Sequence, residues 1–115
     1  MNELTIHDYL QKKGLNEYGI AGLMGNLFAE SGLNPRNLQN SYENVLGMND
    51  NAYVAAVDNG IYTNFVQDKA GFGLAQWTFW TRKQALLDFA KASGKSIGDL
   101  IMQLDFLWKE LSGSY

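Results

Sequence analysis

Two stretches of the chain carry apolar residues at intervals of three and four. After Asn16, Ile20, Leu23, Met24, Leu27 and Phe28 stand at i, i+3, i+4, i+7 and i+8, the spacing of one helix face behind a favourable N-cap. Gly32 and Pro35 close that helix, because glycine tolerates the left-handed C-terminal position and proline biases Asn34 toward extended geometry. Toward the other end, Ile97, Leu100, Ile101, Leu104, Leu107, Trp108 and Leu111 make a second stripe through to Gly113, with Ser96 and Asp99 as a near capping box. Weaker patterns predict a short first helix from Thr5, carrying Ile6, Tyr9 and Leu10 and ending at Gly14. Another is predicted from about Thr78, with Phe79, Leu86, Leu87 and Ala90 on its inner side, closing near Gly94.

The middle of the chain reads differently. Residues 34–51 are rich in Asn, Ser and Gly and predict a long loop, followed by a short helix over 52–57 that ends at Gly60. Ile61, Thr63 and Phe65 then alternate with Tyr62, Asn64 and Val66, which predicts a short strand that residues 68–71 turn into a small hairpin. The expected fold class is therefore mostly α (α+β), about five helices with a small β-hairpin. Gly19, Gly22 and Gly25 recur inside the second helix. Glycine is unfavourable there, so a neighbouring element is expected to press closely on that side.

Composition narrows the function. A chain of 115 residues with 46% hydrophobic content has room for one core and no second domain. The formal net charge of -3 and the lack of any Lys/Arg run argue against a nucleic-acid partner. An anionic wall polymer would not attract the chain by net charge either, so its recognition would rest on hydrogen bonds and stacking, or on a targeting module elsewhere. With no cysteine and a single His7 there is no thiolate or multi-histidine metal site, and no cofactor is implied. Residues 1–13 are broken by Glu3, Asp8, Lys12 and Lys13, so neither a signal peptide nor a membrane span is expected. The chain stops at Tyr115 without a polar tail, and it is expected to be a piece of a longer protein.

One carboxylate stands out. Glu30 follows Leu23 by seven positions and Leu27 by three, which aims it from the apolar stripe, and it lies in the last helical turn beside unpaired carbonyls. Desolvation and the negative dipole end would both favour its protonated form. A carboxylic acid that keeps its proton near neutral pH can protonate the leaving oxygen of a glycoside. Periodicity alone leaves a structural glutamate at a helix end equally open.

The local sequence adds to this. Ala29-Glu30-Ser31-Gly32-Leu33-Asn34-Pro35 and Ala70-Gly71-Phe72-Gly73-Leu74-Ala75-Gln76-Trp77 together resemble the phage tail lysozymes of the lysozyme-like superfamily. The Glu-Ser pair with its downstream Asn-Pro is also similar to goose-type lysozymes and lytic transglycosylases, in which that glutamate is the catalytic acid. The resemblance covers about residues 16–111. It implies a two-lobed, lysozyme-like fold in which Glu30 faces a hairpin across a cleft. It also implies a muramidase acting on the β-1,4 bond between N-acetylmuramic acid and N-acetylglucosamine of the peptidoglycan glycan strand. Such a domain would act at the bacterial cell wall as a monomer, reaching it through lysis machinery, a phage particle or a larger lysin.

Around that acid the expected substrate contacts are Ser31, Tyr62, Gly73, Gln76 and Trp77. Glycines let a sugar approach the backbone, Gln76 can donate and accept hydrogen bonds, and an indole face can stack on a pyranose. Phe79 and Trp108 are expected in the core. The second carboxylate is expected at Asp68, with Asp58 and Glu43 as further candidates, although Asp68 could equally stabilise its turn. Its separation from the acid would divide inverting from retaining hydrolysis, about 6.5–9.5 Å against about 5–5.5 Å. Without such a partner, assistance from the sugar's own acetamido group or a lytic transglycosylase reaction becomes the open alternative, as does a non-catalytic wall-binding or tail-structural module. A Ser31–His7 nucleophilic dyad is not expected, since Ser31 sits where a helix ends.

Overall fold

In the computed structural model, which describes residues 2–113, the helix boundaries follow their caps closely. The described residues form six helices: α1 (Asn2–Lys12), α2 (Glu17–Ser31), α3 (Asn40–Leu46), α4 (Asp50–Asp58), α5 (Trp80–Ser93) and α6 (Leu100–Leu111). Asn16 caps α2 by accepting from the Gly19 amide at 2.8 Å, and Gly32 ends it in the left-handed conformation at φ 65°. Gly94 ends α5 in the same way. At α6 the cap is Asp99 itself, accepting from the Met102 amide at 2.9 Å, while the Ser96 hydroxyl donates instead to Asp58. No capping box forms, because Ser96 is drawn to the end of α4. Tyr115 lies outside the described residues.

Two expectations about the middle of the chain are corrected. The long loop contains α3 and an earlier start to α4, where Asn49 caps by accepting from the Ala52 amide. The predicted strand over 61–66 does not form. Bends and turns replace it because Phe65 and Tyr62 leave the alternation to pack against Tyr53 of α4. The β pairing present among the described residues consists of isolated antiparallel bridges centred on Phe72, to Leu38 on one side and Trp77 on the other. Reciprocal bonds between the Phe72 and Trp77 backbones, at 3.1 and 2.9 Å, close the tight loop 73–76.

Helix α1 packs on α2 and α6, and α5 lies along α6. The core runs from Ile6 and Leu10 through Ile20, Leu27, Tyr53, Phe72 and Trp77 to Leu86, Leu104 and Phe106. Helix α6 turns Met102, Gln103, Leu104, Phe106 and Leu107 inward, whereas Ile101 and Leu111 stay exposed, a rotation of the predicted stripe toward α5. Helix α2 buries only a narrow line, Ile20, Leu27 and Ser31. The close neighbour expected beside its glycines is absent for Gly22 and Gly25, whose surroundings are open, and only Gly19 is crowded, by Leu15.

Irregular segments are held together by buried Gln103. Its amide nitrogen donates to the Pro35 and Ile97 carbonyls, both at 2.6 Å, and its oxygen accepts from the Leu74 amide at 3.0 Å. Three backbone groups from distant segments would lose their partner if this side chain became apolar, each at about 1–3 kcal/mol. Gln103→Leu, close in volume, should accordingly lower unfolding stability by about 3 kcal/mol or more in a urea titration. Unchanged stability would show that these bonds contribute nothing net.

Candidate functional site

The two sequence blocks meet through Asn37. At the end of α2, the Ser31 hydroxyl donates back to the Leu27 carbonyl at 3.0 Å and is buried. The Ser31 carbonyl accepts from the Asn37 side-chain amide at 3.2 Å. The Asn37 carbonyl in turn accepts from the Gly73 amide and from the Gln76 side-chain nitrogen, each at 2.9 Å. Gln39 adds a second tie, its backbone amide donating to the Gly71 carbonyl while its side-chain oxygen accepts from the Gly71 amide. The helix end that bears Glu30 is thereby fixed against the loop 71–77.

Glycine is required in that loop. A Cβ on Gly73 would lie 2.9 Å from Gln103 Oε1 and 3.0 Å from the Trp77 ring, and its φ of 82° disfavours any other residue. Lys69 and Gln76, at φ 63° and 51°, adopt left-handed geometry without being glycine, a strained state that persists when surrounding bonds over-determine it. The Asp68 turn supplies them for Lys69, through the Ala70 amide donating to Asp68 Oδ1 at 3.0 Å. The Gln76 side chain is tied to Asn37 and Gly73.

Glu30 itself is exposed. The inward aim expected from its spacing does not occur, because the buried line of α2 runs through Ile20, Leu27 and Ser31 and Glu30 lies to one side of it, beside half-buried Leu23. It lines none of five surface concavities found among the described residues.

The expected substrate contacts prove to be mostly framework. Trp77 is 0% exposed, its Nε1–H donates to Glu110 at 2.9 Å, and its ring meets Phe106 edge-on at 5.6 Å. It cannot wall a groove, since the indole completes the packing between the loop and α6. Ser31 and Gly73 are buried, and Tyr62 spends its hydroxyl on Asp68. Gln76 is half-buried with its nitrogen committed to two carbonyls. Phe79, expected in the core, is 63% exposed, and neighbouring Trp80 is 50% exposed. The loop turns its first tryptophan in and its second out.

Of the two roles expected for Asp68, the turn-stabilising one is present, its Oδ1 accepting from the Ala70 amide, and it is part of a larger buried network. Its carboxylate is buried against the Lys83 ammonium at 2.6 Å and also accepts from the hydroxyls of Tyr53 at 2.6 Å and Tyr62 at 2.8 Å. Lys83 donates further to the Ala70 carbonyl at 2.8 Å and sits 4.3 Å over the Phe65 ring. Every lone pair the pair needs is supplied from within, which leaves no free oxygen to activate water. Asp58 likewise accepts from Ser96 and the Ile97 amide, and Glu43 lies half-buried on α3.

Sequence reasoning passed over Lys83, Gln103 and Glu110. The signal for Lys83 was its phase: with Leu86 and Ala90 it shares the buried side of α5. Glu110 accepts from Trp77 and holds Arg82 in a two-pronged ion pair at 2.9 and 2.8 Å, joining the loop to both final helices.

A family model described as phage tail lysozyme matches residues 1–115, and the chain belongs to that family. No curated protein and no solved structure matches it significantly. The membership gives the chain a lysozyme-type role on peptidoglycan, and no helix among the described residues is long and apolar enough to cross a membrane.

Removing one partner of a buried pair costs about 3–5 kcal/mol because the other charge is stranded. Asp68→Asn and Lys83→Met should each lose about that much stability in chemical denaturation; an Asp68→Asn protein of normal stability but no activity would restore Asp68 as a catalytic group. Burial first, then the bond to Asp68, pushes the Tyr53 and Tyr62 phenols above their ordinary 10.0, while burial pushes Lys83 below its ordinary 10.5 against the pull of Asp68. Raised phenols contribute stability that is complete below pH 10 and is lost as the unfolded chain ionises above it. The Lys83 contribution runs the other way and stops changing once the unfolded lysine has lost its proton, near 10.5. Beyond that pH the phenols still differ between the two states, Tyr9 among them through its burial and its bond to Asp105, so helical circular dichroism and tyrosinate absorbance should change together. Ionisation of the buried phenols with the helices intact would contradict this.

Proposed function

We propose that this member of the phage tail lysozyme family cleaves the β-1,4 bond between N-acetylmuramic acid and N-acetylglucosamine, with Glu30 as the general acid. The observation that carries this reading is the Asn37 junction, which anchors the α2 end bearing Glu30 to the loop 71–77 of the second family-like block. Exposure leaves the carboxyl open to a long polymer that must approach from solvent. A glycosidic oxygen at hydrogen-bond distance would take its proton, the bond to the anomeric carbon would break through an oxocarbenium-like transition state, and that carbon would then bond to water or to the sugar's own C6 hydroxyl, whose proton returns to the Glu30 carboxylate.

Asp68 has no part in this step. Its commitment to Lys83, Tyr53 and Tyr62 favours a second reading of the same bond cleavage, lytic transglycosylation or participation of the sugar's own acetamido group, neither of which needs a second protein carboxylate, since the Glu30 carboxylate left after proton transfer can act as the base.

Glu30→Gln separates these readings. Because the residue is exposed, its replacement should change stability by less than about 0.5 kcal/mol. Turnover of purified peptidoglycan should fall about 100-fold or more, the usual contribution of a general acid. Undiminished turnover would remove Glu30 from the mechanism, and pelleting with insoluble wall without any release of fragments would identify a binding module. Mass analysis of products distinguishes the two cleavages: reducing muramic acid ends mean hydrolysis and anhydro-muramyl ends mean transglycosylation.

A further inference from the structure

Beside the anchored loop the fold leaves a cavity that the proposed acid chemistry does not use. Val66, Gln67, Lys69, Thr78, Phe79 and Trp80 line a concavity of about 470 Å³, within the size range of small-molecule sites. The Phe79 and Trp80 rings lie 6.5 Å apart, inclined by 35°, and both remain largely in water. Leaving two neighbouring aromatic faces exposed forgoes the stabilisation that burying them would bring.

The walls are held from behind. Trp80 opens α5 three residues before buried Lys83, Lys69 lies between Asp68 and Ala70 of the buried network, and the Thr78 hydroxyl donates to the Gln76 carbonyl at 2.9 Å. A site whose walls are fixed in this way loses little freedom when it is filled.

We propose that this cavity is a subsite for one N-acetylated hexosamine ring of the glycan strand, an inference that rests on the proposed function. The C–H face of a pyranose matches an aromatic platform, the Thr78 hydroxyl oxygen can accept from a ring hydroxyl or the acetamido N–H, and the Gln67 amide can both donate and accept. Lys69 adds a cation to the wall of a chain whose formal net charge is -3. That charge complements the carboxylates of the peptide stem that muramic acid carries. An apolar peptide would gain from the two rings but would make no use of the lysine and the amide, which would stay hydrated.

The test titrates the 115-residue chain, in wild-type and Glu30→Gln forms, with tri-N-acetylchitotriose and with a muramyl disaccharide-peptide, following tryptophan fluorescence and heat. Trp80→Ala and Phe79→Ala should each weaken binding of both ligands about tenfold. Trp80→Phe should recover most of the loss, and Tyr18→Ala, on the exposed side of α2, should have no effect. Lys69→Met should weaken only the carboxylate-bearing ligand; equal losses for both would overturn the part given to Lys69. Failure of the wild-type chain to bind either ligand, or an unchanged affinity in Trp80→Ala, would overturn the subsite. Turnover that survives in Glu30→Gln while Trp80→Ala still loses affinity would remove the acid and leave the subsite standing.

Discussion

The buried ion pair between Lys83 and Asp68 is the constraint on which the rest of the molecule depends. Taking two charges out of water costs several kcal/mol each, and the cost is tolerable only where geometry and further hydrogen bonds satisfy both ions. Here those partners come from α4 through Tyr53, from the irregular segment 61–70 through Tyr62 and the Ala70 backbone, and from α5 through Lys83 itself. Only one arrangement of the three segments supplies them all. A stretch with no strand of its own is in this way held as firmly as a regular element.

From that anchor the chain enters the loop 71–77, where side-chain amides replace the ladder of a sheet. Buried backbone groups need partners, and two isolated bridges provide few. The side chains of Gln39, Gln76 and Gln103 supply others, tying Gly71, Gly73 and Leu74 to the segment after α2 and to α6, while that of Asn37 holds the Ser31 carbonyl. No buried side-chain nitrogen or oxygen is left unbonded among the described residues. Substituting any one of these amides disturbs several segments at once, as expected of a fully satisfied polar network.

The same economy shapes the surface. The loop's own aromatic residues, Phe72 and Trp77, are consumed by the core, so chemistry at the surface falls to the residues just beyond them. Glu30 emerges to one side of the buried line of α2, and Phe79 and Trp80 emerge where the chain enters α5. In the family-like blocks, the motif residues that catch the eye are largely the scaffold, and the accessible groups stand at its margins.

What could be read from the sequence was local. Helix α2 with its Asn16 cap and Gly32 stop, the Gly94 end of α5 and the existence of α6 all follow from spacing and capping, which involve residues within a few positions of one another. The family resemblance was legible as well, because both blocks are contiguous, and it is matched across the whole chain. Tertiary structure alone decided which polar residues would be buried. Lys83 and Asp68 are 15 positions apart, Leu74 and Gln103 29, and Pro35 and Gln103 68, and a charge or amide reads as solvent-facing until its distant partner is known. It also decided that Trp77 turns inward and Glu30 outward, since periodicity gives the phase of a helix but not where the neighbouring core begins and ends.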